Sequence, residues 1–209
     1  MLVALDYGEK RTGIAYGENI PRKIETVDTK NIIKILKDIK PSIVVIGLPL
    51  SASGRYSEQT FKTLRFAFEI SKYFKVYMVD ERFTSKMASR INTKKKDAIS
   101  AYLIFETYVC NPKISMELKD PTRRVDKKIS IPPEAEVLLH EFPDPDFLRR
   151  RENISVVTKN PFLAYKYHVK GFYVERYLKD VGKFDIILTG VTFEDLKNHL
   201  KDNGKIVCL

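Results

Sequence analysis

The sequence predicts an α/β protein: a mixed sheet flanked by helices, followed by a small C-terminal α/β domain. Three observations predict it. Apolar, β-branched runs of strand length recur at 2–6, 43–49 and 76–81. Stretches with helical spacing separate the later runs. The run at 2–6 is followed by a second strand-like stretch at 12–16 with no helix between them, so a strand and its return open an otherwise alternating order. Taken in order, Leu2 to Asp6 reads as a buried strand ending on a carboxylate, and Thr12 to Tyr16 as its return. Gly8 and Gly13 supply turn or close-approach positions there. Ile32, Ile33, Ile35, Leu36 and Ile39 mark a helix over 30–39 that Pro41 ends. Ile43 to Pro49 is a strand of the buried parallel type. A polar loop from Ser51 to Ser57 leads into a helix over 58–73, and Val76 to Glu81 is a strand closing on two acids. Thr84 or Ser85 is placed to cap a helix over 86–91, and 94–109 reads as another.

Texture changes at residue 111. Six of the ten prolines (112, 121, 132, 133, 143 and 145) fall between residues 111 and 145, without periodicity. This reads as a Pro-rich connector over 111–151 between a first domain of 1–110 and a small α/β domain of 152–209. In that last part, 154–157, 172–174, 185–188 and 205–208 read as strands, 161–169 and 193–201 as helices, and Asn203-Gly204 as a turn.

Composition narrows the function classes. No run approaches the roughly 18 apolar residues of a membrane helix, and no secretory leader pattern follows Met1, so no membrane partner is expected. Two cysteines, Cys110 and Cys208, imply a reducing compartment and a cytoplasmic location. His140, His168 and His199 form no zinc-binding spacing. Lys plus Arg number 37 against 27 Asp plus Glu, a net charge of +10. Residues 1–110 carry +7 of it. Such an excess is the electrostatic footprint of a nucleic-acid partner, although a solvated lysine surface produces the same count.

Carboxylates at the ends of buried strands are the informative feature. Asp6 and the pair Asp80-Glu81 each close an apolar strand, and Asp97 opens a helix whose Ala98, Ser100 and Ala101 let it lie close to a sheet. Each has an ordinary structural explanation: a helix cap for Asp97, an ion pair with Arg82 for Asp80 or Glu81. Together, with no histidine or thiolate beside them, they suit a hard cation, Mg²⁺ or Mn²⁺. Two such ions about 4 Å apart activate water and stabilise a leaving oxygen in phosphodiester hydrolysis.

Four ordered blocks carry a resemblance. Asp6-Tyr7-Gly8-Glu9-Lys10-Arg11-Thr12-Gly13-Ile14-Ala15 resembles the opening D-x-G-x-K-R-x-G-x-A of the YqgF/RuvX family. Val45-Ile46-Gly47-Leu48-Pro49, with Gly54 and Arg65-Phe66-Ala67 after it, resembles the second block. Val79-Asp80-Glu81-Arg82-Phe83-Thr84-Ser85 and Asp97-Ala98-Ile99-Ser100-Ala101 resemble the third and fourth. The resemblance covers 1–110 and implies a ribonuclease H-like fold and a metal-dependent nuclease. Members are described as processing the 5′ end of precursor 16S rRNA, in ribosome biogenesis, and as Holliday junction resolvases. It assigns Asp6, Glu81 and Asp97 as catalytic, metal-binding carboxylates, with Asp80 in reserve for Glu81. Two departures stand out: Ser51-Ala52-Ser53-Gly54 lacks the family's usual acid, and the interval from Glu81 to Asp97 is short.

Around this trio, Lys10, Arg11, Arg82 and Lys96 are assigned to substrate phosphate. For Arg82 the competing role is a brace on Asp80. Arg149-Arg150-Arg151 reads as a linker edge, and Phe61, Phe66, Phe68 and Tyr73 as core residues of the long helix. Lys183 to Gly190 faintly resembles late strands of methyltransferase-like domains, but no glycine-rich loop precedes it and no organic cofactor is expected. The C-terminal unit is expected to widen the substrate surface or mediate self-association. Three functional readings follow: an endonuclease on structured RNA, a dimeric resolvase of four-way DNA junctions, or a non-catalytic nucleic-acid-binding module.

Overall fold

The computed structural model describes residues 1–83, 96–191 and 194–209. The chain divides into two compact units, the first formed by 1–53 and 57–118, the second by 54–56 and 119–209.

The first unit is built on a six-stranded sheet. Strands β1 (Leu2–Asp6), β2 (Arg11–Gly17) and β3 (Pro21–Asp28) form an antiparallel meander. β4 (Ile43–Leu48) joins β1 in parallel and β5 (Val76–Asp80) joins β4 in parallel. A two-residue strand, β6 (Met116–Glu117), closes the order β3-β2-β1-β4-β5-β6. The expected mixed α/β sheet is therefore present. β3 is an addition: its alternation is blunted by Arg22, Lys23 and Glu25, as suits a largely exposed edge strand.

Helices cover this sheet as the spacing predicts. In α1 (Ile32–Ile39), Ile32 and Leu36 are buried, and Lys40 in left-handed conformation ends the helix before Pro41. α2 (Glu58–Ser71) starts at a capping box: Thr60 N–H donates to Ser57 Oγ at 3.2 Å, and Ser57 N–H to Thr60 Oγ1 at 3.0 Å. It packs on β4 and β5 through buried Leu64, Ala67 and Ile70. α3 (Lys96–Cys110) lies across β1 and β2. Ala101, Ile104 and Phe105 meet Leu2, Ala4, Ala15, Val45 and Val79 in one cluster. None of the four aromatics assigned to the core of α2 is fully buried: Phe61, Phe66 and Phe68 are half-buried, and Tyr73, just past the helix end, is 55% exposed with Lys37 Nζ 4.5 Å from its ring centroid. The expected helix over 86–91 lies outside the described residues, as do Thr84, Ser85, Lys94 and Lys95.

The second unit is a five-stranded, wholly parallel sheet ordered β11-β10-β7-β8-β9. Its strands are β7 (Val137–His140), β8 (Ile154–Val157), β9 (Tyr173–Glu175), β10 (Phe184–Thr189) and β11 (Leu200–Cys208). α4 (Pro161–Val169) is capped by Asn160, whose side-chain oxygen accepts from Phe162 and Leu163 N–H at 2.9 and 3.2 Å.

Two expectations are corrected here. The segment 111–151 is not a connector, because β7 inside it is the middle strand of this sheet. Its four buried residues are too short a run to stand out among prolines. The helix expected over 193–201 is a 3₁₀ segment at Glu194–His199, after which Leu200 and Lys201 already belong to β11. Asn203-Gly204 lies in the same strand, where its pairing with β10 is irregular.

Candidate active site

Three chain segments bring acids to one end of the first sheet. Asp6 is the last residue of β1 and pairs in register with Gly13 of β2. A Cβ at Gly13 would fall inside the van der Waals envelope of the Asp97 carbonyl oxygen. Glycine here lets the first turn of α3 rest against β2, which delivers Asp97 beside Asp6. The buried Ala98 and Ala101 extend this close approach. Glu81 directly follows β5, and its side chain lies against Gly47 of β4, where a Cβ would stand 2.9 Å from Glu81 Cγ and 2.7 Å from Ile104 Cδ1. Two glycines inside strands thus form cradles for two acid-bearing segments.

The electrostatics confirm that the acids sense one another. Burial, then the charge of Asp97, pushes the Asp6 carboxyl up to about 6, against a hydrogen bond from Ser100 and the charge of Lys96. Burial, then Asp6 and Asp80, pushes Glu81 up to about 8. Asp80 has a different fate. Arg82 clamps it with Nε at 3.1 Å from both carboxylate oxygens and Nη2 at 2.7 Å from Oδ2. Of the two roles weighed for Arg82, the structure thus shows the brace on Asp80. It also separates the adjacent acids: Asp80 is neutralised by its own arginine, whereas Glu81 faces Asp6.

Lys96 begins α3, is exposed, and lies near enough to lower Asp6. Lys10 and Arg11 are exposed where the chain turns from β1 into β2. That turn is braced from behind: Thr29 Oγ1 donates to Gly8 O at 2.6 Å, and Thr29 N–H to Lys10 O at 3.1 Å. The charged tips of Lys10 and Arg11 therefore project from a fixed backbone.

Among the described residues, no three His, Cys, Asp or Glu side chains are grouped as a ready-made metal cage. The donor set nonetheless fits a hard divalent ion. Asp6 and Glu81 bring carboxylate oxygens to a buried strand end, and Mg²⁺ takes one or two carboxylates while water and phosphate oxygens complete its shell. Sequence reasoning missed two roles, Gly47 as the cradle for Glu81 and Ser100 as a hydrogen-bond partner of Asp6; a glycine within an apolar strand was the available signal for Gly47.

An α/β chain with mutually repelling acids at the end of a mixed sheet is the class that the fold and site define. Residues 1–111 match a family model described as "RuvX: Holliday junction resolvase". A Thermotoga maritima protein named "Putative pre-16S rRNA nuclease" is 44% identical over 209 residues, covering 100% of this chain and 94% of that protein. A Rickettsia rickettsii protein of the same name is 36% identical over 128 residues, covering 51% of this chain and 83% of its own length. Among solved structures, Thermus thermophilus RuvC in complex with a Holliday junction substrate aligns over 56% of this chain and 99% of its own, at a TM-score of 0.38 and 12% identity. The chain belongs to the RuvX family. Its first unit has the mixed, helix-covered sheet that the sequence predicts.

Proposed function

We propose that this chain is a divalent-metal-dependent endonuclease that hydrolyses phosphodiester bonds in RNA, in 5′-end processing of precursor 16S rRNA. One observation carries the reading: Asp6 senses the charge of Asp97 and Glu81 that of Asp6, and burial beside these acids makes ionising Asp6 and Glu81 costly, which a cation offsets. The name of the full-length relative supports the RNA substrate. The exposed free thiols of Cys110 and Cys208 suit a reducing cytoplasm.

Asp6, Glu81 and Asp97 would hold Mg²⁺ or Mn²⁺, which supplies Lewis-acid polarisation of phosphate and a lowered pKa for bound water. Glu81 enters that state by giving up a proton it largely retains in the metal-free protein near neutral pH, whereas Asp6 is already mostly ionised there. Lys96, beside Asp6, and the exposed Lys10 and Arg11 offer cations for the phosphates that flank the cleaved bond. Cleavage of labelled precursor RNA by wild type, Asp6→Asn and Glu81→Gln tests the reading. Metal-dependent cleavage by wild type alone supports it. Equal activity in all three overturns it, and salt-sensitive binding without cleavage establishes a non-catalytic RNA-binding module instead.

A second reading, resolution of four-way DNA junctions, is favoured by the description of the family model. It requires two active sites facing opposed strands and hence a two-fold homodimer. A monomer in sedimentation that leaves junction DNA intact excludes it.

A further inference from the structure

The second unit contains a cavity of about 530 Å³ that the nuclease reading does not use. Its location follows from topology. β7 is the first strand of this sheet, β8 and β9 add on one side, and β10 and β11 add on the other. The strand order therefore reverses between β7 and β10, and in open parallel sheets ligands bind at such a point, outside the carboxyl ends of the strands. The cavity sits at that end: His140 closes β7, Val157 closes β8, and Val191 follows β10.

Its lining mixes cations with apolar and polar side chains, and Arg176 and Lys179 lie over the Tyr177 ring, 5.4 and 5.5 Å from its centroid. Lys159, Arg176 and Lys179 put three cations on one cavity. No ion pair holds any of the three among the described residues. Arg176 is fixed by Nη1 donating to Gly54 O at 2.9 Å and Tyr177 Oη at 3.2 Å, and its Nε is buried without a hydrogen-bond partner among the described residues. Of the two acids in the lining, Glu141 is already engaged, since it accepts from Thr158 Oγ1 and Lys159 N–H, each at 2.6 Å. Val157, Leu178, Val191 and Tyr177 add apolar surface to the lining, and Asp195 and Asn198 further polar groups.

His140 is held in one tautomer. Thr189 Oγ1 donates its proton to Val191 O at 2.5 Å, so it accepts from His140 Nδ1–H at 3.1 Å, which leaves Nε2 as the acceptor nitrogen. Burial holds this imidazole below its ordinary range; Glu141 opposes that, and Lys159 and His199 add to it.

We propose that this cavity binds a nucleoside monophosphate unit, with its phosphate on Lys159, Arg176 and Lys179 and its sugar and base against the Tyr177, Val157 and Val191 wall. The volume lies in the range of small-molecule sites, about 300–1,000 Å³, far more than a bare phosphate fills. A dinucleotide is excluded by the first crossover turn. Residues 141–143 are Glu-Phe-Pro rather than a glycine-rich cradle, and Glu141 itself occupies a left-handed φ of 44°. The unit is either a free nucleotide or one residue of an RNA strand, and the chemistry is shared. The inference does not rest on nuclease activity, because none of its residues belongs to the first unit.

The chain has three histidines, His140, His168 and His199, of which only His168 is absent from the cavity wall. Proton NMR of the full-length protein in EDTA, titrated with AMP, UMP, inorganic phosphate and an RNA hexamer, reads the site directly. Saturable shifts of the His140 and His199 ring protons, with His168 still, are expected for AMP or UMP at micromolar to millimolar concentration. Lys159→Glu with Lys179→Glu, both exposed positions, weakens binding by about tenfold or more. Hexamer affinity well above that of the mononucleotides identifies an RNA subsite, and comparable affinity a free nucleotide. Absence of saturable shifts with every probe, shifts produced by phosphate alone, or affinity unchanged in the double variant overturns the proposal.

Discussion

The two units treat carboxylates in opposite ways. In the first, Asp6 and Glu81 stand at strand ends where burial and neighbouring acids push both upward, to about 6 and about 8. In the second, Asp180 is lowered by Arg55, and Asp185 by the Glu136 N–H and Lys201. Asp120 also lies low, its burial outweighed by hydrogen bonds from Thr122 and Lys166. One sheet leaves its acids in tension and the other neutralises them. The difference teaches where to look for metal chemistry: acids in tension are a site, acids in pairs are scaffold.

The largest expected effect is on turnover. Asp6→Asn and Glu81→Gln are each expected to lower single-turnover RNA cleavage by about a thousandfold, near 4 kcal/mol of lost transition-state stabilisation. Arg82→Ala, which releases Asp80 but leaves Glu81 in place, is expected to cost far less. If it matches Glu81→Gln, the distinction between the adjacent acids is wrong.

Next comes pH. Asp6 and Glu81 hold protons more tightly folded than unfolded, so their contribution favours the fold fully below about pH 4 and is lost as the pH rises through about 6 and about 8. Urea unfolding of EDTA-treated protein at pH 5 and pH 9 is expected to show this as a decline on the order of 3 kcal/mol, absent from the Asp6→Asn, Glu81→Gln double variant. Saturating Mg²⁺ at the higher pH restores the loss in wild type only. The lowered Asp120 has the opposite sign: its contribution is present above the unfolded carboxyl range and is lost in acid.

Gly13→Ala drives a methyl group into the Asp97 backbone. It is expected to cost about 1–3 kcal/mol in unfolding and to lower cleavage sharply, because α3 must lift from β2. Gly47→Ala meets the flexible end of Glu81 as well as Ile104, so cleavage is expected to fall more than stability. The smallest effect sharpens the second unit: Tyr56→Phe removes the 2.9 Å bond from Tyr56 Oη to Thr158 O and is expected to cost about 1 kcal/mol without changing cleavage.

Much of the first unit was legible because its strands are long apolar runs bounded by Pro, Gly or charge: 2–6, 43–48 and 76–80. β3 escaped because an edge strand must carry charge, and charge erases the apolar signal. β7 escaped for the converse reason. Val137 to His140 is buried throughout, but four residues inside a proline-rich stretch do not announce a strand, let alone the middle of a sheet. At the site, the acids were readable from their places after apolar runs, and Gly13 as a close-approach position. Gly47 was quoted within a motif without its mechanical role.

The amino-acid order by itself determined the class of protein: strand and helix periodicity set the α/β layering, and acids after buried strands marked the candidate chemistry. Only the tertiary structure decided that Asp80 turns to Arg82 while Glu81 turns to Asp6, and that a sheet reversing its strand order opens a cation-lined cavity. Periodicity is local and survives in a string of letters. Which of two neighbouring carboxylates is paired, and which strands lie side by side, depends on groups brought together from distant parts of the chain.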